Sequence, residues 1–385
     1  MAATLLAAGT LALTGLSALA QSDTVKIGVI LPMTGPSAST GKQIDAAIKL
    51  WVAQNGNKAG GKKVEVIVKD DAGVADTTRR LAQELVVNDK VVALAGFGLT
   101  PLALATAPIA TQSKTPMVVM AAATSAITEA SPFITRTSFT LPQATLGLAD
   151  WAAKNKIKKV VSLVTDYGPG NDAEKYFAER FTLNGGVVME KLRTPLRGAD
   201  FAPVLQKVRD AQPDALFVFL PSGQGAAFMK QFAERGLDKA GIRLIATGDV
   251  TDDDQLNDMG DVALGVVTSQ HYSAAHDSPA NKKFVAAFEA ANKFRPNFMA
   301  VAGYDGMRLL YIGLNGSKGQ GGEALMNAMK GQIFESPRGP VLIDAQTREI
   351  VQDIYTRKVE RVNGQLYNVE FDVQKAVKDP AKNRK

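Results

Sequence analysis

Apolar runs of strand length alternate with segments of helical period along most of this chain. Val25–Leu31 is apolar except at Lys26 and Gly28, as a strand buried on both faces requires. The segment after it sets Ile44, Ala47, Ile48, Trp51 and Val52 at i, i+3, i+4 spacing, which is one face of a helix. Strands are predicted next over Val64–Asp70, Val91–Ala95 and Met117–Ala121. Between them lie a helix carrying Thr78, Leu81 and Leu85 on one side and a second helix after Pro101. The alternation resumes with strands at Val160–Thr165, Gly186–Glu190, Ala215–Leu220 and Leu244–Thr247. Helices from Asp172, around Phe201–Asp210, and through Met229 and Phe232 separate these. Such alternation implies parallel sheets with helices on both faces.

Three irregular segments break the pattern: Phe133–Leu141, Val266–Pro279 and Phe334–Pro340. The second precedes two long helical patterns, Asn281–Lys293 and Met299–Leu314, and the third leads into short strands and a basic end. The expectation is an α/β protein of two Rossmann-like lobes with mostly parallel sheets, joined by three crossover segments. Residues 24–137 with 277–335 form the first lobe and 138–276 with 336–374 the second, while 375–385 is a solvated tail.

The chain's start changes the picture of where it works. Ala2–Ala20 carries no charge and ends Ala18-Leu19-Ala20, the small-x-small pattern of a signal-peptidase site, followed at once by polar Gln21, Ser22 and Asp23. Residues 1–20 are therefore expected to be a cleaved signal peptide, although no Lys or Arg precedes the apolar run, and the mature protein to be periplasmic. The net charge of +6 comes from basic residues scattered along the 385-residue chain rather than gathered in a stripe, so no nucleic-acid partner is expected. With no cysteine, disulfides, thiolate zinc sites and thiol nucleophiles are all excluded.

Candidate chemistry is sparse. His271 and His276 are the only histidines, both inside a predicted crossover, and no Gly-x-Ser-x-Gly elbow is present. Gly56–Lys62 matches phosphate-loop spacing, but Lys63 replaces the magnesium-binding hydroxyl and the stretch runs from helix to strand, so it reads as a turn. Asp252-Asp253-Asp254 is read as the start of a helix before Leu256, with its carboxylates capping and meeting the dipole. No metal, cofactor or catalytic residue is predicted.

The loops at the carboxyl ends of the strands are more informative, because open α/β sheets bind ligands there. Pro32–Gly41 offers Ser39 and Thr40, Gly96–Pro101 offers Phe97, Leu99 and Thr100, and Ala121–Ser125 offers Ala122 and Thr124. Each sets a hydroxyl and free amides at a helix N-terminus, suited to a carboxylate. In the second half, the strand ending at Thr165 presents Tyr167, that ending at Leu220 presents Ser222, and that ending at Thr247 presents Asp249. Phe97 and Tyr167 can sandwich an apolar group.

With those loops in place, the chain resembles the branched-chain amino-acid-binding family of type I periplasmic binding proteins. The likeness is carried by VKIGVILPMTGPSASTG (25–41), NGNKAGGKKVEVIVKDD (55–71), APIATQSKTPMVVMAAATSAIT (107–128), VTDYGPGNDAEKYF (164–177), AGYDGMRLLYIGL (302–314) and FESPRGPVLID (334–344). It implies two hinged lobes closing on a small carboxylate ligand and delivery to an inner-membrane ABC permease, without catalysis. A monomer is expected. By the same resemblance, Thr100 binds the ligand carboxylate, Ala122 and Thr124 offer a carbonyl and a hydroxyl, Asp249 takes an ammonium, and Tyr167 is a cleft aromatic. Ser39 and Thr40 stand where amino-acid binders often hold a large aromatic, and Pro221-Ser222-Gly223-Gln224 lacks a tyrosine that some relatives use. A branched-chain or aromatic amino acid and an amine-free aromatic or keto acid both remain open. The competing use of the fold is a ligand-sensing ectodomain or regulator subunit; the first would need a second apolar span and the second a helix-turn-helix, and neither is seen in the sequence.

Overall fold

The computed structural model describes residues 23–383. The leader expected over residues 1–20 lies outside the described residues. The first sheet is built from β1 (Thr24–Leu31), β2 (Lys58–Ala59), β3 (Lys62–Asp70), β4 (Ala93–Gly96), β5 (Met117–Val119) and β6 (Ile134–Arg136), with α1 (Ala38–Asn55), α2 (Ala75–Val87) and α3 (Thr100–Ser113) as its crossovers. Its order is β2-β3-β1-β4-β5-β6, parallel except for the β2–β3 hairpin, whose turn is Gly60-Gly61; the Gly56–Lys62 stretch read above as a turn thus also holds β2.

The second sheet opens after α4 (Leu141–Lys154), which Pro142 starts and whose Gln143 side chain accepts the Thr140 amide at 2.9 Å. It continues β7 (Lys159–Thr165), α5 (Gly168–Leu183), β8 (Val187–Thr194), α6 (Ala202–Ala211), β9 (Ala215–Phe219), α7 (Gly225–Glu234), β10 (Arg243–Thr247), the four-residue α8 (Leu256–Met259) and β11 (Val267–Gln270). The chain then returns to the first sheet through α9 (Pro279–Asn292), α10 (Phe298–Gly316) and α11 (Gly322–Met329), with α9 and α10 packing on α1. It crosses back through β12 (Ile333–Ser336) and β13 (Gly339–Ile343) into β14 (Ile350–Val362) and β15 (Gln365–Val377). The strand order is β12-β13-β14-β11-β10-β9-β7-β8, with β15 beside β14. The architecture is the expected one of two α/β lobes with parallel-dominated sheets and three passages of the chain between them.

Three differences from the sequence reading have physical causes. β11 lies inside the stretch read as irregular, because Val267–Gln270 is too short for alternation to show and is fixed by pairing with β10 and β14. The closing strands are not short: β14 and β15 have 13 residues each and pair Val362 with Gln365 across Asn363-Gly364. Both turn residues have positive φ, 49° and 83°, which this tight hairpin needs and which Asn and Gly tolerate. Nor is the end of the chain simply solvated. Lys375–Val377 completes β15, and the Lys382 ammonium, 7% exposed, donates to the Ser125 carbonyl at 2.6 Å and pairs with Glu129 at 2.7 Å.

Two buried ion pairs staple the passages together. Arg338 pairs with Asp305 at 2.6 Å and donates to the Thr137 carbonyl at 2.6 Å and to Gln352 at 2.9 Å. One guanidinium thus ties the first passage, the third passage, α10 and β14. Arg136 pairs with Glu349 at 2.9 Å and donates to the carbonyls of Ala122, Thr124 and Phe139.

Candidate ligand-binding site

Each sheet reverses its order of strand addition once, between β1 and β4 in the first lobe and between β7 and β9 in the second. At such a reversal neighbouring crossovers diverge to opposite faces and leave a crevice beyond the carboxyl ends of the strands. Here the two crevices face one another. The cavity between them comprises about 360 Å³ of space not filled by protein, part of it open to solvent.

The first lobe contributes Thr40 from α1, Leu99 and Thr100 at the start of α3, and the backbone turn Ala121–Ala123 after β5. The second contributes Tyr167 and Pro169 at the start of α5, Phe219, Pro221 and Ser222 after β9, and Asp249 after β10. Phe139 from the first passage and Met299 from α10 close the end nearest the hinge. Tyr167 stacks on Phe219 with ring centroids 6.1 Å apart and planes 23° from parallel, making an aromatic wall.

Seven residues singled out in the sequence therefore meet at one place: Thr40, Leu99, Thr100, Ala122, Tyr167, Ser222 and Asp249. Thr124 stands behind them, its hydroxyl 2.9 Å from that of Thr100, so each orients the other. Two others are placed differently. Phe97 is fully buried in the core beneath the loop, with φ of 68°, and cannot sandwich a ligand against Tyr167. Ser39 points across the cleft and donates to Asp254 at 2.6 Å, a tether between lobes. The Ala122 carbonyl accepts from Arg136 at 2.9 Å, so the guanidinium sets the shape of the turn. Phe139, Pro169, Phe219, Pro221 and Met299 were not anticipated. Phe219 ends a continuous apolar strand whose period carries no sign of which residue emerges at the rim.

The electrostatics are lopsided. Among the described residues, no Lys or Arg lines the cavity. Thr100 stands at the N-terminus of the 14-residue α3 and Gly168 at that of the 16-residue α5, each a partial positive end. Asp249 lies opposite, 4% exposed; burial pushes its carboxyl up to about 7, against the pull of Thr247 and Arg357. Burial and the nearby Asp249 hold the Tyr167 hydroxyl well above its ordinary range, so it stays protonated. The aspartates at 252–254 do not cap a helix as expected, since α8 is one turn long and begins after Gln255. Asp253 instead accepts from Asn368 and the Ala274 amide, and Asp254 from Ser39 and Asn297. Their burial between the lobes favours these partners over solvent.

Several contacts join the cleft's two sides. Besides Ser39 with Asp254, the Ser125 amide donates to Asp172 at 3.0 Å and Arg197 donates to the Gly73 carbonyl at 2.5 Å. Gly168 approaches so closely that a Cβ there would stand 2.6 Å from the Thr124 hydroxyl. The lobes are shut.

A family model described as periplasmic binding protein matches residues 24–365. The chain belongs to the periplasmic binding protein family. Among its relatives, this binding protein is 45% identical over 369 residues to a Leu/Ile/Val-binding protein homolog 6 of Brucella abortus, covering 94% of each chain, which puts it in the branched-chain amino-acid-binding branch. It also resembles the solute binding protein of an ABC transporter from Rhodopseudomonas palustris BisB5, solved in complex with 3,4-dihydroxybenzoic acid. The identity is 61% and the TM-score 0.93, over 94% of this chain and 100% of that one. A second R. palustris solute binding protein, in complex with 4-hydroxybenzoate, is 41% identical with a TM-score of 0.90, over 93% of this chain and 99% of that one. As a member of this family the protein is a solute-binding component of an ABC transporter that works outside the cytoplasm. Among the described residues, no helix is long and apolar enough to cross a membrane.

Proposed function

We propose that this protein captures an aromatic carboxylic acid bearing a ring hydroxyl, closes on it, and presents it in the periplasm to an inner-membrane ABC permease for import. The observation that carries the reading is the cavity's polarity: hydroxyls and helix N-termini at one end, and at the other a buried Asp249 that Gln270 and the more distant Arg357 hold from behind. The anionic end of the ligand lies against Thr100 and the first turn of α3, with Thr124 holding the Thr100 hydroxyl in place. The ring packs on Tyr167 and Phe219. The ring hydroxyl meets Asp249, which at a value of about 7 can accept from a phenol or, when protonated, donate to one. The complexes of the two R. palustris relatives with hydroxylated benzoates support this chemistry.

Binding proceeds by closure. The ligand first occupies the lobe-one half of the site, and Tyr167, Ser222 and Asp249 arrive as the cleft shuts. Moving the lobes from mostly open to mostly closed takes about 5.5 kcal/mol of differential binding, which two-sided burial of a ring and its polar ends supplies. In this reading the leader at residues 1–20 is removed on export, the mature chain acts as a monomer, and it binds its ligand without catalysis.

A branched-chain amino acid is the second reading, favoured by the Leu/Ile/Val-binding relatives and by the same Asp249, whose carboxylate suits an ammonium. Calorimetric titration with 4-hydroxybenzoate, 3,4-dihydroxybenzoate, benzoate, leucine and phenylalanine separates the two. The expected result is tight binding of the hydroxybenzoates and none of the amino acids. Binding of leucine alone would refute the proposal. With Thr100→Val, every carboxylate ligand should weaken by about 10- to 150-fold, the value of one hydrogen bond to a charged group.

A further inference from the structure

The cavity between the lobes has a neighbour. A second space, about 370 Å³ not filled by protein and part of it open to solvent, shares Leu99, Pro221 and Ser222 with it as walls. Its other walls include Pro36, Ser37 and Gly73 from the first lobe and Leu196, Arg197 and Gln224 from the second. Neither Phe139 nor Met299, which close the inner cavity toward the hinge, borders it. The outer space therefore lies toward the rim of the cleft, between the site and solvent.

At this rim the lobes come together. A Cβ on Gly223 of the second lobe would stand 3.0 Å from the Pro36 carbonyl of the first. Arg197 donates to the Gly73 carbonyl at 2.5 Å. Both ends of that bond are built. Gly73 has φ of 69°, and its amide donates at 2.9 Å to Asp71, which is fully buried and also accepts from Thr78. The Ala72 amide donates to Asp70 at 2.8 Å. Side chains of the first lobe thus fix the loop and aim the Gly73 carbonyl before the second lobe arrives. On the other side, Gln224 donates to the Leu196 carbonyl at 3.2 Å and ties the segment carrying Arg197 to the loop after β9. Arg197 itself is exposed, and its guanidinium has no carboxylate partner among the described residues. The bond it makes runs from lobe to lobe and exists only when the cleft is shut. A hinge motion separates groups in proportion to their distance from the hinge, so a contact at the rim resists the first stage of opening.

We propose that the outer space is the ligand's passage and that Arg197 is its gate: docked on the Gly73 carbonyl, the guanidinium holds the rim shut and sets how long a captured carboxylate is retained. The inference rests on the capture-and-closure reading given above, but not on which carboxylate is captured. Arg197 does not touch the ligand; it acts by stabilising the closed form. Because its bond forms after the ligand has passed, it slows release and leaves entry alone.

Stopped-flow fluorescence on the full mature chain and its Arg197→Met variant, with 4-hydroxybenzoate and with leucine as probes, gives kon and koff. Methionine keeps an unbranched stem at the rim and removes every donor. Release from the variant should be about 2- to 13-fold faster, the effect of one hydrogen bond, with kon within about twofold of the unaltered protein. The ligand-free melting temperature should not change, since the open form lacks the contact. An unchanged koff overturns the proposal. So does a loss of affinity carried by kon alone, which would make Arg197 a steering charge. A lower ligand-free melting temperature with unaltered rates would make it a structural residue and overturns the proposal as well. Binding of leucine but not of 4-hydroxybenzoate removes the aromatic reading, and the gate is then read with leucine. Binding of neither removes capture and gate together.

Discussion

Gly168 is the point at which the second lobe comes closest to the carboxylate end of the site, so a single methyl group there should act as a wedge. A Cβ at this position would lie 2.6 Å from the Thr124 hydroxyl and 3.4 Å from the methyl groups of Thr100 and Thr124. Thr124 cannot swing aside freely, since its hydroxyl is bonded to Thr100 at 2.9 Å and Thr100 is itself 4% exposed. Forcing an extra methyl into such a packed junction costs about 1–3 kcal/mol. The clash exists only when the lobes are together. Gly168→Ala should therefore weaken ligand binding by about 5- to 150-fold while leaving the ligand-free melting temperature unchanged or slightly higher, because alanine suits the first turn of α5 better than glycine. Titration calorimetry gives the affinity and a thermal melt without ligand gives the stability. An affinity within twofold of the unaltered protein would mean that the ligand-bound lobes do not meet as they do here, and the account of closure would fail.

Two further outcomes follow from the buried charges. Asp249 stands at about 7 in the shut cleft; if opening the cleft wets its carboxyl and returns it toward the ordinary 3.8, the closed form holds more protons between those values. Closing on a neutral hydroxyl should then take up a proton at about pH 5.5, and affinity should fall as pH rises toward 7 and level off above it. Calorimetry in buffers of different ionisation enthalpy should register the uptake for the unaltered protein and not for Asp249→Asn, whereas an ammonium ligand would keep Asp249 ionised and give no uptake in either. Arg136→Met takes from buried Glu349 its close cation, leaving Thr128 and the Lys382 ammonium 3.9 Å away, and releases the carbonyls of Ala122 and Thr124, so urea unfolding should show a loss of about 3 kcal/mol. Adding Glu349→Met should restore much of it; a single variant within about 1 kcal/mol of the unaltered protein would show that the pair does not hold the turn.

What the chain's own letters determined was local or periodic. Buried strands of a parallel sheet are written as apolar runs and helices as a 3.6-residue period, so the two α/β blocks and the loops at the strand ends were legible. Thr100, Tyr167 and Asp249 follow from their places just beyond predicted strands. The Asn363-Gly364 hairpin signal was passed over, and the closing strands were read as short.

The tertiary structure alone decided which of those loop residues face the ligand. Phe97 is the first residue after β4 and Tyr167 the second after β7, and one turns into the core while the other faces the cleft. Ser39 and Asp254 meet across 215 residues, Arg136 and Glu349 across 213, and Arg338 draws in residues from two passages. A charged residue in a sequence reads as solvated because most are, and only the closing of two lobes over it creates the burial that demands a partner. The aspartates at 252–254 illustrate the point. As a triplet they resemble a helix start, and enclosure between the lobes turns one into a tether and leaves another with no well-formed hydrogen bond among the described residues.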